Sequence, residues 1–154
     1  MSNFASVEAE QAVLGSLLID SGCVRRVAAV LRESDFSVAL NRELYRVIVT
    51  MDRDGQPIDG LTVCAEALRQ SLAEEKTLRK YLAQLMEITP TAANVEMYAD
   101  IVARAARRRE LKTALEDGLA ALADQAPEDE VLAQLDAAMT ASSQRLESEL
   151  LAPK

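Results

Sequence analysis

The chain has 154 residues, 49% of them apolar and 3% aromatic, with no Trp and no His. That length lies in the single-domain range with room for a small appendage, and that apolar fraction permits a core. A formal net charge of −8 argues against capture of nucleic acid by the whole surface, while a local basic patch stays open.

Ala and Leu dominate and Gly and Pro are few, 5 and 4, which favours long helices with short turns. Cys23 and Cys64 make no disulfide framework and read as buried thiols of a reducing compartment. The start Met1-Ser-Asn-Phe-Ala-Ser6 lacks the basic and apolar regions of a signal peptide. No apolar run approaches the roughly 18 residues of a membrane span, so a cytoplasmic protein is expected.

Taken in chain order, Ala9, Ala12, Val13, Leu14, Leu17, Leu18 and Ile19 form a stripe at helical spacing from Glu8 to Asp20. Ser6 reads as its N-cap, with Glu8 and Glu10 in the first turn where the helix dipole favours negative charge. Ser21-Gly22 is a turn. A second helix, from about Cys23 to Leu31, directs Val24, Val27, Ala28 and Leu31 inward. Asp35-Phe36 breaks the pattern, with Phe36 plugging the core. Asn41 reads as the cap of a helix carrying Leu44, Val47, Ile48 and Met51, and Asp52 to Pro57 is a turn cluster.

Thr62, with Glu66, starts a helix through Leu68, at a spacing one residue too long for a capping box. Lys80 to Ile88 reads as a short helix. Thr89-Pro90-Thr91 ends it, since proline disfavours a helical residue before it. Thr91 then caps a helix from Ala92 on which Val95, Tyr98, Ile101 and Val102 share a face. From Leu111, apolar residues recur at Leu115, Leu119 and Leu122. Gln125-Ala126-Pro127 interrupts, and a second run carries Val131, Leu132, Leu135 and Met139. Pro127 and the acidic trio Glu128, Asp129 and Glu130 suit a helix start. The two runs form an antiparallel hairpin, its Ala-rich stripe (114, 120, 121 and 123) suited to close approach of another helical layer. Two helices cannot bury both stripes alone, so a partner surface is implied. The tail from Ser142 reads as the start of a linker.

Catalytic chemistry is missing. Without His, the commonest general base and metal ligand are gone, and two isolated cysteines cannot hold zinc. None of the glycines (15, 22, 55, 60 and 118) belongs to a phosphate-binding loop, and there is no Gly-Lys-Ser/Thr. Acidic pairs such as Glu8/Glu10 and Asp52/Asp54 read as solvated surface. Arg104, Arg107, Arg108, Arg109 and Lys112 form the one charge cluster of note, with 104, 108 and 112 on one helical face. Contact with phosphate or an acidic protein face is the functional reading. Favourable charge at a helix end and ion pairs to residues such as Asp100 is the simpler one, preferred because stacking aromatics are absent nearby. Tyr45, Tyr81 and Tyr98 read as core residues whose hydroxyls reach the surface, and Met86 and Met97 as core fillers.

Glu8-Ala-Glu-Gln-Ala-Val-Leu-Gly15 closely resembles the opening helix of the N-terminal domain of DnaB-like replicative DNA helicases. The order that follows resembles the same family: Asp35-Phe36 before a helix with Tyr45, then Pro57-Ile58-Asp59 before Leu61-Thr62-Val63. Tyr81-Leu82 then precedes Thr89-Pro-Thr-Ala-Ala-Asn94, and Tyr98-Ala99 precedes an Arg-rich helix end. Each piece is weak alone, but the ordered set is specific, and it covers about residues 6 to 112 and continues in pattern through the hairpin. Two departures are visible: Asn41 stands where the family usually has His, and Ser71 to Arg79 lacks the usual glycines.

The resemblance implies an all-α protein. A compact helical globule (1–110) is followed by an antiparallel helical hairpin for dimerisation (111–145) and the start of a linker (146–154). It implies a collar domain of the primosome that organises a hexamer as a trimer of dimers and recruits the C-terminal domain of primase. A helicase loader is a further candidate partner. Leu115, Leu119, Leu122, Val131, Leu132 and Leu135 would carry self-association, and exposed residues near Pro127 the primase contact. Arg104, Arg107, Arg108 and Lys112 are the weaker candidates for partner or nucleic-acid contact, with little direct DNA binding expected. No cofactor is expected in this chain; ATP and Mg would belong to the family's ATPase domain, which is missing. The chain stops where the linker should begin, as a fragment would. The alternative is a stand-alone loader, inhibitor or regulator of phage or mobile-element origin that imitates the collar. A nucleic-acid binder using the 104–112 face and a small-molecule enzyme rank below these.

Overall fold

The computed structural model describes the backbone of residues 3–151 and the side chains of residues 6–147. Among the described residues, regular structure is helical throughout. The α-helices are α1 (Asn3–Ile19), α2 (Val24–Ala28), α3 (Ala39–Arg53), α4 (Gly60–Arg69), α5 (Glu75–Ile88), α6 (Val95–Ala123) and α7 (Glu128–Leu151), with short 3-10 turns at Ser21–Cys23 and Glu33–Asp35. The chain divides into two compact units, Met1–Ala105 and Ala106–Lys154, so α6 contributes its first part to one and the rest to the other.

In the first unit α1 packs against α5 and α3, and α4 packs against the same two helices. Leu14, Leu17, Phe36, Leu44, Ile48, Leu78 and Leu85 are fully buried, joined by Val95, Ala99, Val102 and Ala103 from the start of α6. Phe36 fills the middle as expected, its ring centroid 4.6 Å from that of Tyr45. The Tyr45 hydroxyl does not reach solvent as the sequence reading has it. It donates to the Leu31 carbonyl at 2.9 Å, and burial drives the phenol's pKa well upward. Met97 and Ile101 are exposed rather than in the core, because the inner face of α6 is the Val95–Ala99–Val102–Ala103 row.

The close approach of α1 and α5 depends on Gly15. A Cβ there would lie 2.4 Å from both the Leu85 carbonyl oxygen and Thr89 Oγ1, so no larger residue fits without moving backbone.

Two polar residues sit where the helical periodicity calls for apolar ones. Glu10, expected at the surface, is 0% exposed. Its Oε2 accepts from Ser37 N at 2.9 Å and Ser37 Oγ at 2.6 Å, and its Oε1 accepts from Asn41 Nδ2 at 3.1 Å. The carboxylate thereby meets the amino end of α3, where unpaired N–H groups and the helix dipole favour negative charge. Asn41 is not the cap of α3, which begins at Ala39 with Val38 before it. It is buried inside the helix, and its Oδ1 accepts from the Tyr81 hydroxyl. Ser6 likewise lies inside α1, past its start at Asn3.

Helix boundaries follow local chemistry that the sequence reading placed elsewhere. α4 opens on a reciprocal box between Asp59 and Thr62. Thr62 N donates to Asp59 Oδ1 at 2.8 Å and Asp59 N donates to Thr62 Oγ1 at 2.9 Å. α2 is shorter than expected, α5 starts earlier at Glu75, and α6 starts at Val95 rather than Ala92. Thr91 Oγ1 accepts from Ala93 N at 3.2 Å, within the turn before α6. α3 ends with Gly55 at φ +71°, while α4 ends with Ser71 at φ +57° in the same left-handed role. The segment without the family's glycines thus makes its turn with a serine.

The second unit is an antiparallel hairpin. Gly118 of α6 faces Leu135 of α7, and Arg145 Nη1 lies 3.4 Å from Glu110 Oε1. At the turn Gln125 takes φ +65°. Ala126 N donates to the Ala121 carbonyl and Gln125 N to the Leu122 carbonyl, the hydrogen-bond pair of a Schellman cap. Pro127 stands at the head of α7, its carbonyl accepting from Val131 N at 3.2 Å. Helix α7 continues to Leu151, past residue 146, where a linker was expected to begin.

Candidate interaction face of the hairpin

Helix α6 carries a row of small residues, Ala114, Gly118 and Ala121, that is more buried than its surroundings. Opposite, Val131, Leu135, Ala138, Ser142 and Arg145 are the buried and half-buried positions of α7. Small side chains on one helix let the other come near: a Cβ on Gly118 would sit 3.3 Å from Leu135 Cδ2. This is the seam that closes the hairpin.

The six residues expected to carry self-association therefore separate into two sets. Val131 and Leu135 belong to the seam. Leu115, Leu119, Leu122 and Leu132 are 60%, 70%, 50% and 67% exposed. Leu111, Met139 and Leu146 are exposed as well and extend the same rows beyond the expected set. The heptad spacing 132, 139, 146 was the available signal for the last of them.

Helical geometry places both rows on one side. At about 100° per residue, Leu111, Leu115, Leu119 and Leu122 fall within an arc of about 80° on α6, centred roughly 90° from the seam. On α7 the row Leu132, Met139, Leu146 is centred about 80° from its seam, in the same rotational sense. Two antiparallel helices with stripes offset in the same sense present them on the same face of the pair. Contiguous exposed leucines of this kind mark protein interaction surfaces, and each leucine fully covered is worth about 1.5–3 kcal/mol.

Charge is divided along the hairpin. From Thr113 to Gln144 there are carboxylates at 116, 117, 124, 128, 129, 130 and 136 and no Lys or Arg. The basic residues lie toward the other end. Arg104 is exposed and paired with Asp100 at 3.2 Å, as the simpler reading of that cluster expects. Arg107 is half-buried, while Arg108 and Lys112 are exposed. Among the described residues no group of Cys, Asp and Glu is arranged to hold a metal ion, and no helix is long and apolar enough to cross a membrane.

The described residues thus form a small helical unit followed by a hairpin with an exposed leucine face. The family model for the DnaB-like helicase N terminal domain matches residues 2–104, and the chain belongs to that family. It is 37% identical over 110 residues to the replicative DNA helicase DnaB of Geobacillus stearothermophilus, covering 71% of this chain and 24% of that protein. It is 34% identical over 110 residues to the replicative DNA helicase DnaC of Bacillus subtilis, with the same two coverages. The chain thus spans about a quarter of the length of these relatives. The N-terminal domain of DnaB helicase from Mycobacterium tuberculosis superimposes with a TM-score of 0.81 at 31% identity, covering 91% of this chain and 96% of that one. The likeness therefore extends beyond residue 104 into the hairpin. The N-terminal domain of DnaB from Helicobacter pylori, described together with its interactions with primase, shares the fold. Its TM-score is 0.65 at 20% identity, over 80% of this chain and 99% of that one.

Proposed function

We propose that this chain acts as the collar domain of a replicative DNA helicase in the cytoplasm, a non-catalytic module that joins copies and receives primase. The observation that carries this reading is the leucine face of the hairpin, an amphipathic surface with no cover within its own unit. Leu115, Leu119, Leu122 and Leu132 are the contact residues, while Val131 and Leu135 hold the hairpin closed. Pairing of two such faces gives a dimer, and three dimers a hexamer. The acidic exposed turn around Pro127 is the surface offered to the C-terminal domain of primase, with a helicase loader as a further partner. ATP and Mg serve a motor domain outside this chain. Direct DNA binding is small, since Arg104 is engaged by Asp100 and the hairpin from Thr113 to Gln144 carries carboxylates and no Lys or Arg.

The test is light scattering on a size-exclusion column, with and without the primase C-terminal domain. The expected result is a dimer or larger species whose mass rises when primase is added. Leu119→Asp should give a monomer with an unchanged helical circular dichroism spectrum, because Leu119 is 70% exposed in the single chain. A wild-type monomer that ignores primase would sink the reading.

A further inference from the structure

Arg145 is a long cation in a seam of apolar and small residues. Among the described residues of α7, it is the only charged one that is buried or half-buried, in one row with Val131, Leu135 and Ala138. Its side chain is 4% exposed, and its Nη1 lies 3.4 Å from Oε1 of Glu110, whose own side chain is 44% exposed. Taking a guanidinium out of water costs desolvation that one ion pair seldom offsets. A Leu or Met would fill the same space without that cost, so stability alone does not account for an arginine there.

The rest of the seam specifies register weakly. It sets Val131, Leu135 and Ala138 against the small residues Ala114, Gly118 and Ala121, and apolar contacts have no direction. The capped turn at Gln125 fixes the tip. Arg145 stands about 26 Å from the start of α7, at roughly 1.5 Å per residue, where the hold of the turn is weakest. A guanidinium, by contrast, is directional, because its planar fork needs acceptors at set places. One turn along α6 in either direction, Arg145 would stand against Ala106 and Arg107 or against Thr113 and Ala114. None of the four carries a carboxylate, so a shifted or splayed hairpin loses the pair with Glu110.

We infer that Arg145, through its ion pair with Glu110, is the positioning residue that sets the register of α7 on α6 and so aligns the two leucine rows into one face. Buried polar groups serve coiled coils in this way, fixing one alignment among several apolar ones. Arg145 itself touches no partner in this role. Its effect on assembly rests on the self-association reading above, whereas its effect on register does not.

The experiment compares Arg145→Met and Arg145→Lys on the full chain. Methionine fills the seam with a flexible apolar chain and leaves the Glu110 carboxylate in water, while lysine keeps the charge. Register is read by dipolar spectroscopy between spin labels at the exposed positions Thr113→Cys and Gln144→Cys, the two native thiols being buried. A Leu119→Asp background keeps the labels of two copies apart. Dimerisation is read separately, by light scattering on dilution without labels. The parent should give one narrow distance. Arg145→Met should add a second or broadened population with an unchanged helical circular dichroism spectrum, and should weaken the dimer at least tenfold. Arg145→Lys should recover most of both. The inference is overturned if Arg145→Met keeps the single distance or dimerises like a dimeric wild type, or if methionine and lysine behave alike. A second distance that appears only together with loss of helix also overturns it, since that marks a merely structural role. A wild type that stays monomeric defeats the leucine reading alone, because the distance measurement needs no dimer.

Discussion

The globule and the hairpin are written in the same apolar code and use it in opposite ways. Leu14, Leu17, Leu44 and Leu85 recur at helical spacing and are sealed to 0% exposure. Leu115, Leu119 and Leu122 recur at the same spacing and stand half or more in solvent. The cause is the number of surrounding layers. A helix of the globule has neighbours on several sides, whereas a hairpin has one neighbour per helix and can bury only one seam. It spends that seam on Ala114, Gly118 and Ala121, which leaves the large side chains for something else. An apolar stripe thus tells that a face will be covered, and the topology decides whether the cover is internal.

The largest test of that contrast is one truncation in each region. Phe36→Ala should cost about 3–5 kcal/mol, because a fully buried ring leaves a cavity. Leu119→Ala should stay within about 0.5 kcal/mol at concentrations where the chain is monomeric, since the side chain is already in water. Urea unfolding of both variants at low protein concentration settles it. A Leu119 cost comparable to that of Phe36 would mean that the hairpin closes over its own leucines.

A second break in the pattern lies inside the globule. Glu10→Ala should cost about 1–3 kcal/mol, as it strands the buried Asn41 amide and removes the acceptor of Ser37. Glu10→Gln should cost less but not nothing, because its amide turns a donor toward donors. The same urea titration reads both, and an alanine variant as stable as wild type would show that water reaches the site. The Glu10 burial was recoverable from the sequence. Glu10, Val13, Leu14 and Leu17 stand at i, i+3, i+4, i+7, as do Asn41, Leu44, Tyr45 and Ile48. Two polar residues that violate two stripes were a signal that they face each other. What the sequence did show was the order of helices and the Phe36 plug. The continuity of α6 from Val95 to Ala123 was less legible, because the change from mixed to basic and Leu-rich composition near residue 111 resembles a boundary although no Pro or Gly stands there. The sorting of six hairpin residues into seam and face needed the register, which Gly118 opposite Leu135 supplies.

Two mid-helix glycines sharpen the comparison with effects of opposite sign. Gly15→Ala should destabilise by about 1–3 kcal/mol, because its Cβ would meet the Leu85 carbonyl, a backbone atom that cannot swing away. Gly118→Ala meets only the end of the Leu135 side chain at 3.3 Å, which can shift by a few tenths of an ångström. There the gain in helix propensity, up to about 1 kcal/mol, should prevail and raise the melting temperature of the hairpin. Thermal melts of both variants, followed by circular dichroism, should move in opposite directions. Melts that fall together would show that the seam is packed as tightly as the globule.

The smallest effect concerns the turn that joins the hairpin. Gln125 holds φ +65°, a conformation that costs a side-chain-bearing residue about 1 kcal/mol and glycine almost nothing. Gln125→Gly should therefore stabilise the hairpin by about 0.5–1 kcal/mol after the extra freedom of glycine in the unfolded chain is subtracted. The same exchange at Ser71, φ +57°, should act in the same direction on α4. If the two units unfold independently, Gln125→Gly shifts only the hairpin transition and Ser71→Gly only that of the globule. A single transition that moves with either change would mean that α6, running through both, couples them into one cooperative unit.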